Sequence, residues 1–307
     1  MPAEPPQISV IIPSHGRPHL IGRAVKSALG QTLENIEVIV VLDGPDEASL
    51  AALYQFDDRR LKIKQLSSNH GLGEARNSGV REALSSWIAF LDDDDEWLPR
   101  KLELQIKAAE KSPFRYPVIT CRVIARDDTG DSVWPRRLPG KNEHLSEYLL
   151  RSRTRGETAI LAITIFTPKA LLKIVPFRNL PFYEDFDWLL RVNMRKDVFV
   201  QFISDKEPQA ICHMNRDPSR ISNRLDWRFS LALIRSIRGM VTPKAYASFI
   251  LLKIASEAQN QGEWRACVQL LKESRRGSPA PLDILIFLLI WLIPHDLRRF
   301  IASSFGL

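Results

Sequence analysis

The chain has 307 residues, of which 45% are hydrophobic and 26% are charged. These fractions are typical of a globular protein that buries a large core, and they exclude a disordered chain. The net charge of +7 favours an anionic partner, but nucleic acid, an acidic membrane face and a nucleotide diphosphate fit that charge equally well.

β-Branched runs and helical patterns alternate through the first hundred residues. The predicted strands are residues 8–12, 36–42, 61–66 and 87–91, and the predicted helices are residues 20–29, 48–56 and 73–84. This alternation predicts an α/β fold, in which a mostly parallel sheet carries helices on both faces. Ligands of such sheets bind beyond the carboxyl ends of the strands, so polar residues directly after strands are candidates for a site.

The rest of the chain is less regular. Residues 118–133 predict strands with a turn at 127–130, residues 136–157 a charged loop, residues 159–167 a strand and residues 186–195 a helix. From Trp227 onward the pattern is helical and more basic. We therefore predict a main domain at 1–225 and a basic helical C-terminal region at 226–307.

Two features bear on location. The cysteines Cys121, Cys212 and Cys267 are widely spaced and odd in number, which favours a reducing compartment such as the cytoplasm and predicts no zinc site or disulfide framework. Residues 1–7 are polar and proline-rich, so we expect no signal peptide.

Residues 282–293 (LDILIFLLIWLI) are almost wholly apolar. The run is too short to cross a bilayer, which takes about 20 apolar residues. Two interpretations stay open: a helix packed against the main domain, or a helix in the membrane interface, aided by Arg298 and Arg299.

Four carboxylates follow the fourth predicted strand, at residues 92–95. Adjacent carboxylates at the end of a buried strand repel one another. One of them can cap the helix expected after Pro99, and a divalent cation, Mg²⁺ or Mn²⁺, would neutralise the others because it takes oxygen ligands and leaves positions for phosphates. The alternative is a solvated acidic turn.

Two further candidates follow the second and third strands. Asp43 is either a turn residue in Asp-Gly-Pro or a ligand that accepts hydrogen bonds from a ribose or a base. The segment NHGLGEARNSG at residues 69–79 is a weak phosphate loop, and its Arg76 is either a surface residue or a nucleotide contact.

Four segments, taken together, resemble successive motifs of the family 2 glycosyltransferases: ISVIIPSHGRPHL, VIVVLDG, NHGLGEARNSG and WIAFLDDDDEWLPRKLE. The resemblance runs from Ile8 to about residue 103 and returns near residues 182–191. It implies a GT-A fold for 1–225 and an inverting transfer of a sugar from a nucleotide-diphosphate sugar, with a UDP-sugar favoured, to an acceptor hydroxyl. The implied acceptor is a glycan or lipid-linked glycan in cell-surface polysaccharide or glycolipid synthesis.

The resemblance also implies roles for individual residues. Relatives often carry Tyr-Asn where this chain has His15-Gly16, and the histidine would pack on the base. The implied nucleotide-binding residues are Pro13, His15, Arg17, Asp43, Arg76, Asp92 and Asp93. Asp94 would bind the metal directly, with Asp92 beside it. His213 is either a structural histidine or a further contact of the metal, and Arg216 and Arg220 would neutralise phosphates.

The catalytic base is expected in the segment FYEDFDW at residues 182–188. Displacement at an anomeric carbon needs a carboxylate that takes the proton of the acceptor hydroxyl. The family places a Glu-Asp pair here, which implies Asp185 as base with Glu184 as the second choice. Capping of the following helix by Asp185 or Asp187 is the structural alternative.

Two other functions compete. A metal-dependent nucleotidyltransferase needs a glycine-rich, Lys/Arg-bearing signature after the first strand, of which PSHGRPH is a poor version. A non-catalytic protein that binds anionic ligands needs basic residues clustered with aromatic ones, and here they are spread along the chain. We therefore expect a cytoplasmic enzyme without a nucleic-acid partner. Its second expected location is the inner face of the cell membrane, through peripheral contact with anionic lipid.

Overall fold

A computed structural model describes residues 5–204, 206–214 and 225–293. The chain divides into two compact units, residues 1–135 with 159–216 and residues 136–158 with 217–307. Residues 136–157, predicted as a charged loop, thus belong to the second unit and include a helix at Leu145–Leu150. The predicted division at residue 225 adjoins residues 215–224, which lie outside the described ranges.

The strands lie in the first unit and form two sheets. They are β1 Ile8–Ser14, β2 Ile36–Leu42, β3 Leu61–Gln65, β4 Trp87–Phe90, β5 Glu96–Trp97, β6 Tyr116–Thr120, β7 Val123–Asp127, β8 Gly130–Trp134, β9 Phe166–Pro168, β10 Val198–Phe202 and β11 Ala210–His213. The main sheet has the order β10-β6-β9-β4-β1-β2-β3, and the smaller sheet has the order β5-β11-β7-β8. In the main sheet β9 pairs antiparallel with β4 and β6, and the other pairs are parallel, so the predicted mostly parallel sheet is confirmed.

Helices flank the main sheet and make up most of the second unit. Those of the first unit are α1 Pro18–Leu29, α2 Glu47–Leu53, α3 Leu72–Glu82, α4 Lys101–Glu110, α6 Lys169–Ile174 and α7 Glu184–Asn193; those of the second are α5 Leu145–Leu150, α8 Trp227–Ser236, α9 Pro243–Ser248, α10 Ala255–Asn260, α11 Ala266–Ser274 and α12 Pro281–Leu292. A π-helical segment at Phe249–Ile254 joins α9 to α10.

Helix α1 shows how the sequence specifies these elements. Pro18 begins it, at a position where its missing N–H has no helical partner to lose. Its buried residues Ile21, Ala24, Val25 and Ala28 follow the spacing of one helical face. That face packs into the core that also holds the fully buried strand β2.

One local prediction is wrong, and one alternative from the sequence is excluded. Residues 159–167 are not one strand, because a 3₁₀ turn at Ala162–Thr164 precedes β9, and the Thr164 hydroxyl donates to the Leu161 carbonyl oxygen at 2.7 Å. No acidic residue of the quartet caps a helix, because Glu96–Trp97 pairs as β5 with β11 and α4 begins only at Lys101 without a side-chain cap.

Helix α12 covers the apolar run of the C-terminal region. One face of it packs within the second unit, where the buried Asp283 carboxylate accepts hydrogen bonds from Arg153 at 2.9 Å and from the Ser248 hydroxyl at 2.5 Å. Within the described ranges, no helix combines the length and apolar character needed to cross a membrane. Arg298 and Arg299 lie outside the described residues.

Candidate active site

The carboxyl ends of three neighbouring strands form one edge of the main sheet. The register sets Ser14 of β1 opposite Leu42 of β2, and Ile11 of β1 opposite Phe90 of β4. The loops that follow β1, β2 and β4 each carry candidate residues from the sequence, and they meet at this edge. This is the position at which open α/β sheets bind ligands.

Arg17 and Ser14, from the end of β1, contact the acidic turn after β4. The Ser14 hydroxyl donates to Asp93 Oδ2 at 2.6 Å, and Arg17 Nη1 lies 3.0 Å from Asp93 Oδ1 and 3.3 Å from Asp94 Oδ2. Burial raises the pKa of Asp93 to about 6 and the charge of Asp94 adds to the rise, against the opposing effects of Arg17 and Ser14. Sequence analysis names Pro13, His15 and Arg17 in this segment, but not Ser14.

Arg76 links the acidic turn to helix α7. Its guanidinium is buried, with Nη2 2.7 Å from Asp92 Oδ1 and Nη1 2.6 Å from Glu184 Oε1. Burial alone would lower the pKa of Arg76, but the charges of Asp92 and Glu184 raise it above its ordinary value. Arg76 is therefore not a surface residue, and it stays charged at every physiological pH.

Asp185, the predicted base, follows Glu184 in the first turn of α7. Burial and, after it, the charge of the neighbouring Glu184 raise the pKa of Asp185 to about 7, against the opposing effect of Arg76. A carboxyl group that titrates near neutral pH can hold or release a proton under working conditions, as a general base requires.

The turn that presents Asp185 is strained. Tyr183, the N-cap residue of α7, has a φ of +64° in the left-handed region, where a side chain costs about 1–2 kcal/mol. Neither Asp185 nor Asp187 is the N-cap of α7, because Tyr183 occupies that position. The buried carboxylate of Asp187 lies 3.2 Å from Arg178 and 2.7 Å from Arg191. No sequence signal marks Tyr183, since a left-handed tyrosine is not expected from composition or spacing.

Asp43 holds the loop that leads into α3. Its two carboxylate oxygens accept backbone N–H groups of His70 at 2.7 Å and of Gly71 at 2.8 Å. Gly71 has a φ of +91°, a backbone conformation that glycine adopts without strain. The carboxylate thus has a structural part at this edge, beside any contact to a nucleotide.

His15 lies between Asp43 and Asn69. Its Nδ1 is 2.7 Å from the Asp43 carbonyl oxygen and its Nε2 is 3.1 Å from the Asn69 side-chain nitrogen. The carbonyl can only accept, so Nδ1 carries the proton and Nε2 accepts from the amide, which defines a neutral ring. Asn69 was not singled out in the sequence. Pro13 is buried in β1, opposite Val41.

His213 lies at the far end of the acidic turn. Its backbone N–H donates to Asp95 Oδ1 at 2.8 Å, and its Nε2 is 2.6 Å from Glu96 Oε1. Sequence analysis missed Asp95 and Glu96 as its partners, because the pairing of β5 with β11 is a long-range contact. Arg216 and Arg220 lie outside the described residues.

A family model, glycosyl transferase family 2, matches residues 9–195, which is more than half of the chain. The chain belongs to this family. The predicted enzyme class is therefore confirmed, and the nucleotidyltransferase and non-catalytic hypotheses are not favoured.

Two relatives and one solved structure illustrate the similarity. The glycosyltransferase is 29% identical over 191 residues to Escherichia coli WfgD, a UDP-Glc:alpha-D-GlcNAc-diphosphoundecaprenol beta-1,3-glucosyltransferase, with 62% of this chain and 70% of WfgD covered. It is 33% identical over 122 residues to the succinoglycan biosynthesis protein ExoO of Rhizobium meliloti, covering 40% of this chain and 35% of ExoO. The structure of S. aureus TarS 1–349 with UDP-GlcNAc matches with a TM-score of 0.62 at 18% identity, over 87% of this chain and 81% of TarS 1–349. That likeness confirms the GT-A fold.

The acidic turn of this glycosyltransferase offers the oxygen donors that Mg²⁺ and Mn²⁺ take. Within the ranges that the structure describes, no three His, Cys, Asp or Glu side chains are grouped to hold an ion by themselves. Mg²⁺ commonly binds one or two carboxylates and completes its shell with water and substrate phosphates. The donor set around Asp92 and Asp94 fits an ion of that kind, shared with a diphosphate.

A change at Asp43 tests its structural part. Asp43→Asn keeps one oxygen but turns an NH₂ group toward a backbone N–H, so we expect a loss of about 1–3 kcal/mol in the free energy of unfolding. Urea denaturation of the variant and of Asp128→Asn, an exposed aspartate in the β7–β8 turn, measures it. Equal denaturation midpoints for Asp43→Asn and the unaltered protein would show that the Asp43 carboxylate does not stabilise the fold.

Proposed function

We propose that this glycosyltransferase inverts the anomeric centre of a UDP-sugar as it transfers the sugar to a hydroxyl group of a lipid-linked glycan. The observation that carries the proposal is the position of Asp185 in the first turn of α7, next to Glu184, which lies 2.6 Å from the buried Arg76. The raised pKa of Asp185, about 7, agrees with the role of a general base. WfgD, by its name, uses UDP-Glc and a diphosphoundecaprenol-linked acceptor, and TarS has been crystallised with UDP-GlcNAc and with UDP.

The same relatives support a place in cell-surface polysaccharide synthesis. ExoO is named for succinoglycan biosynthesis, and an undecaprenol-linked acceptor like that of WfgD is embedded in a membrane. We therefore propose that the enzyme works in the cytoplasm, at the inner face of the cell membrane, where a nucleotide-sugar and a lipid-linked acceptor can meet.

The proposed reaction is an in-line displacement. Asp185 takes the proton of the acceptor hydroxyl while its oxygen forms a bond to the anomeric carbon. The bond from that carbon to the diphosphate oxygen breaks on the opposite face, and its electron pair leaves with UDP. Glu184 lies 2.6 Å from Arg76 and next to Asp185, and the repulsion between the two carboxylates raises the proton affinity of Asp185.

The proposed donor site uses the loops after β1, β2 and β4. His15 would pack on the base in its neutral form, Asp43 would contact the base or ribose, and Asp92 and Asp93 would lie near the ribose. Arg17, which already contacts Asp93 and Asp94, would turn toward the diphosphate. Pro13 would border the base, and Arg76 would support the nucleotide by orienting Asp92.

Asp94 would hold Mg²⁺ or Mn²⁺ together with the diphosphate, with Asp92 nearby. The ion would stabilise the negative charge that develops on the departing UDP. The His213 ring contacts Glu96. We therefore propose that His213 would approach the ion only after its contact with Glu96 breaks.

Nucleotide titration tests the donor site. Calorimetric titration of UDP, GDP and dTDP, with and without Mn²⁺, is expected to show UDP binding that needs the metal. Asp94→Ala should weaken that binding by at least about tenfold, because one phosphate-bridging ligand is lost, and the exposed Asp128→Ala should leave it unchanged. Metal-independent binding, or full affinity in Asp94→Ala, would contradict the metal assignment. Binding of GDP or dTDP in place of UDP would change the donor but not the class.

A further inference from the structure

Helix α12 presents an apolar stripe on the face opposite its packed side. Phe287, Ile290 and Trp291 are buried together with Asp283. After Pro281, the exposed residues of the helix are leucines at the spacing of one helical face. We call them the leucine stripe: Leu282, Leu285, Leu288, Leu289 and Leu292. Exposed clusters of this kind mark interaction sites on soluble domains.

The stripe continues onto helix α11. The ring of Trp264, just before α11, lies 5.6 Å from that of Trp291, and Trp291 directly precedes Leu292. Trp264 and Val268, one helical turn apart, are each 61% exposed. The exposed Trp264 and Val268 are therefore joined to the end of the leucine stripe through the contact of Trp264 with the buried Trp291, and together with the stripe they form one apolar surface.

A cationic cleft borders this surface. The cleft, of about 420 Å³, is lined on α11 by Arg265, Val268, Gln269, Lys272, Glu273 and Arg276. Glu273 is already paired with Arg235 and Arg276, which hold the pKa of its carboxyl group at about 2 against the raising effect of burial. Neither Arg265 nor Lys272 forms an ion pair with another described residue, so their charges face solvent beside the apolar surface.

We propose that the leucine stripe and the cationic cleft together dock the enzyme on an anionic lipid bilayer. Leucines enter the boundary between headgroups and acyl chains, and the cations meet lipid phosphates. A symmetric second copy is the poorer occupant, because an isologous interface would bring the same cationic cleft near itself. The inference extends the proposed lipid-linked acceptor by naming the surface that meets its membrane, and its test uses neither acceptor nor donor.

Vesicle sedimentation with the full chain tests the docking. We expect binding to vesicles containing phosphatidylglycerol and much weaker binding to phosphatidylcholine vesicles. The pair Leu285→Gln/Leu292→Gln should weaken binding at least tenfold. The pair Arg265→Gln/Lys272→Gln should weaken it by roughly twentyfold, since each surface cation contributes about fivefold near an anionic membrane, and high salt should have the same effect.

One leucine and one pair of cations in the first unit serve as controls. Leu84, 65% exposed, and the exposed Arg59 and Lys111 allow Leu84→Gln and Arg59→Gln/Lys111→Gln, which should bind as the unaltered protein does. Thermal unfolding checks that every variant folds. The proposal is overturned if the protein does not bind anionic vesicles, if the leucine pair leaves binding intact, or if light scattering shows a dimer that the leucine pair dissociates. Nucleotide titration of the same variants should be unchanged, which keeps this outcome separate from the donor site.

Discussion

Asp185→Asn is expected to lower turnover by about 10²–10⁴-fold, because general-base catalysis contributes that much and an amide cannot take the acceptor proton. UDP release from the UDP-sugar in the presence of a lipid-linked acceptor measures the rate. The affinity for UDP should change less than twofold, since the base lies on the acceptor side. Asp128→Asn, a surface change of the same chemistry, should turn over normally. Full turnover in Asp185→Asn would move the base to Glu184 or outside this segment.

The pH dependence follows from the raised pKa of Asp185. The carboxylate is the working form, so kcat/KM should rise with pH up to about 7 and then level off, and that acidic limb should be missing in Asp185→Asn. The free energy of unfolding changes with pH in the opposite direction. Because the folded pKa lies above the ordinary 3.8, ionisation of Asp185 destabilises the folded state as pH rises from about 4 to about 7. At pH 8 Asp185→Asn should therefore be more stable than the unaltered protein, by up to about 4 kcal/mol.

Arg76→Met is expected to lower the free energy of unfolding by about 3–5 kcal/mol, because it leaves Glu184 and Asp92 without their buried counter-charge. Chemical denaturation measures the loss. Arg81 lies on the same helix with its side chain 61% exposed and paired with Glu74, so Arg81→Met should cost under about 1 kcal/mol.

A second change separates charge from packing at Arg76. Glu184→Gln removes one of the two carboxylates, so the double variant Arg76→Met/Glu184→Gln should recover part of the stability that Arg76→Met loses. Equal losses in the single and double variants would mean that Arg76 stabilises the fold by packing alone.

The strands and helices of the sheet could be predicted from local patterns. The β-branched run at residues 36–42 coincides with β2, and the predicted strand at residues 87–91 extends only one residue past β4. These segments are buried, so their hydrophobic periods decide their structure. Residues 159–167 could not be resolved, because an apolar run does not distinguish a strand from a 3₁₀ turn followed by a strand.

The candidate site divides in the same way. The acidic turn and Asp43 were found because strand ends are visible in the sequence. The partners of these residues were not, since Arg76 and Glu184 are 108 positions apart, and β5 pairs with β11 over a similar separation. The sequence leaves Asp43 open as a turn residue or a ligand. Only the fold shows that its carboxylate oxygens accept hydrogen bonds from the backbone N–H groups of residues 70 and 71.

The single guanidinium of Arg76 balances two carboxylates and lowers the proton affinity of a third, Asp185. The residues at positions 76, 92 and 184 therefore cannot be substituted independently of one another in evolution. A neutral residue at position 76 leaves two carboxylates without their counter-charge. A neutral residue at position 92 or 184 leaves Arg76 with one carboxylate fewer, so Arg76 attracts the remaining carboxylate more strongly. Substitutions among relatives should accordingly arrive as matched sets at these positions, and the working pH of each enzyme should shift with the set it carries.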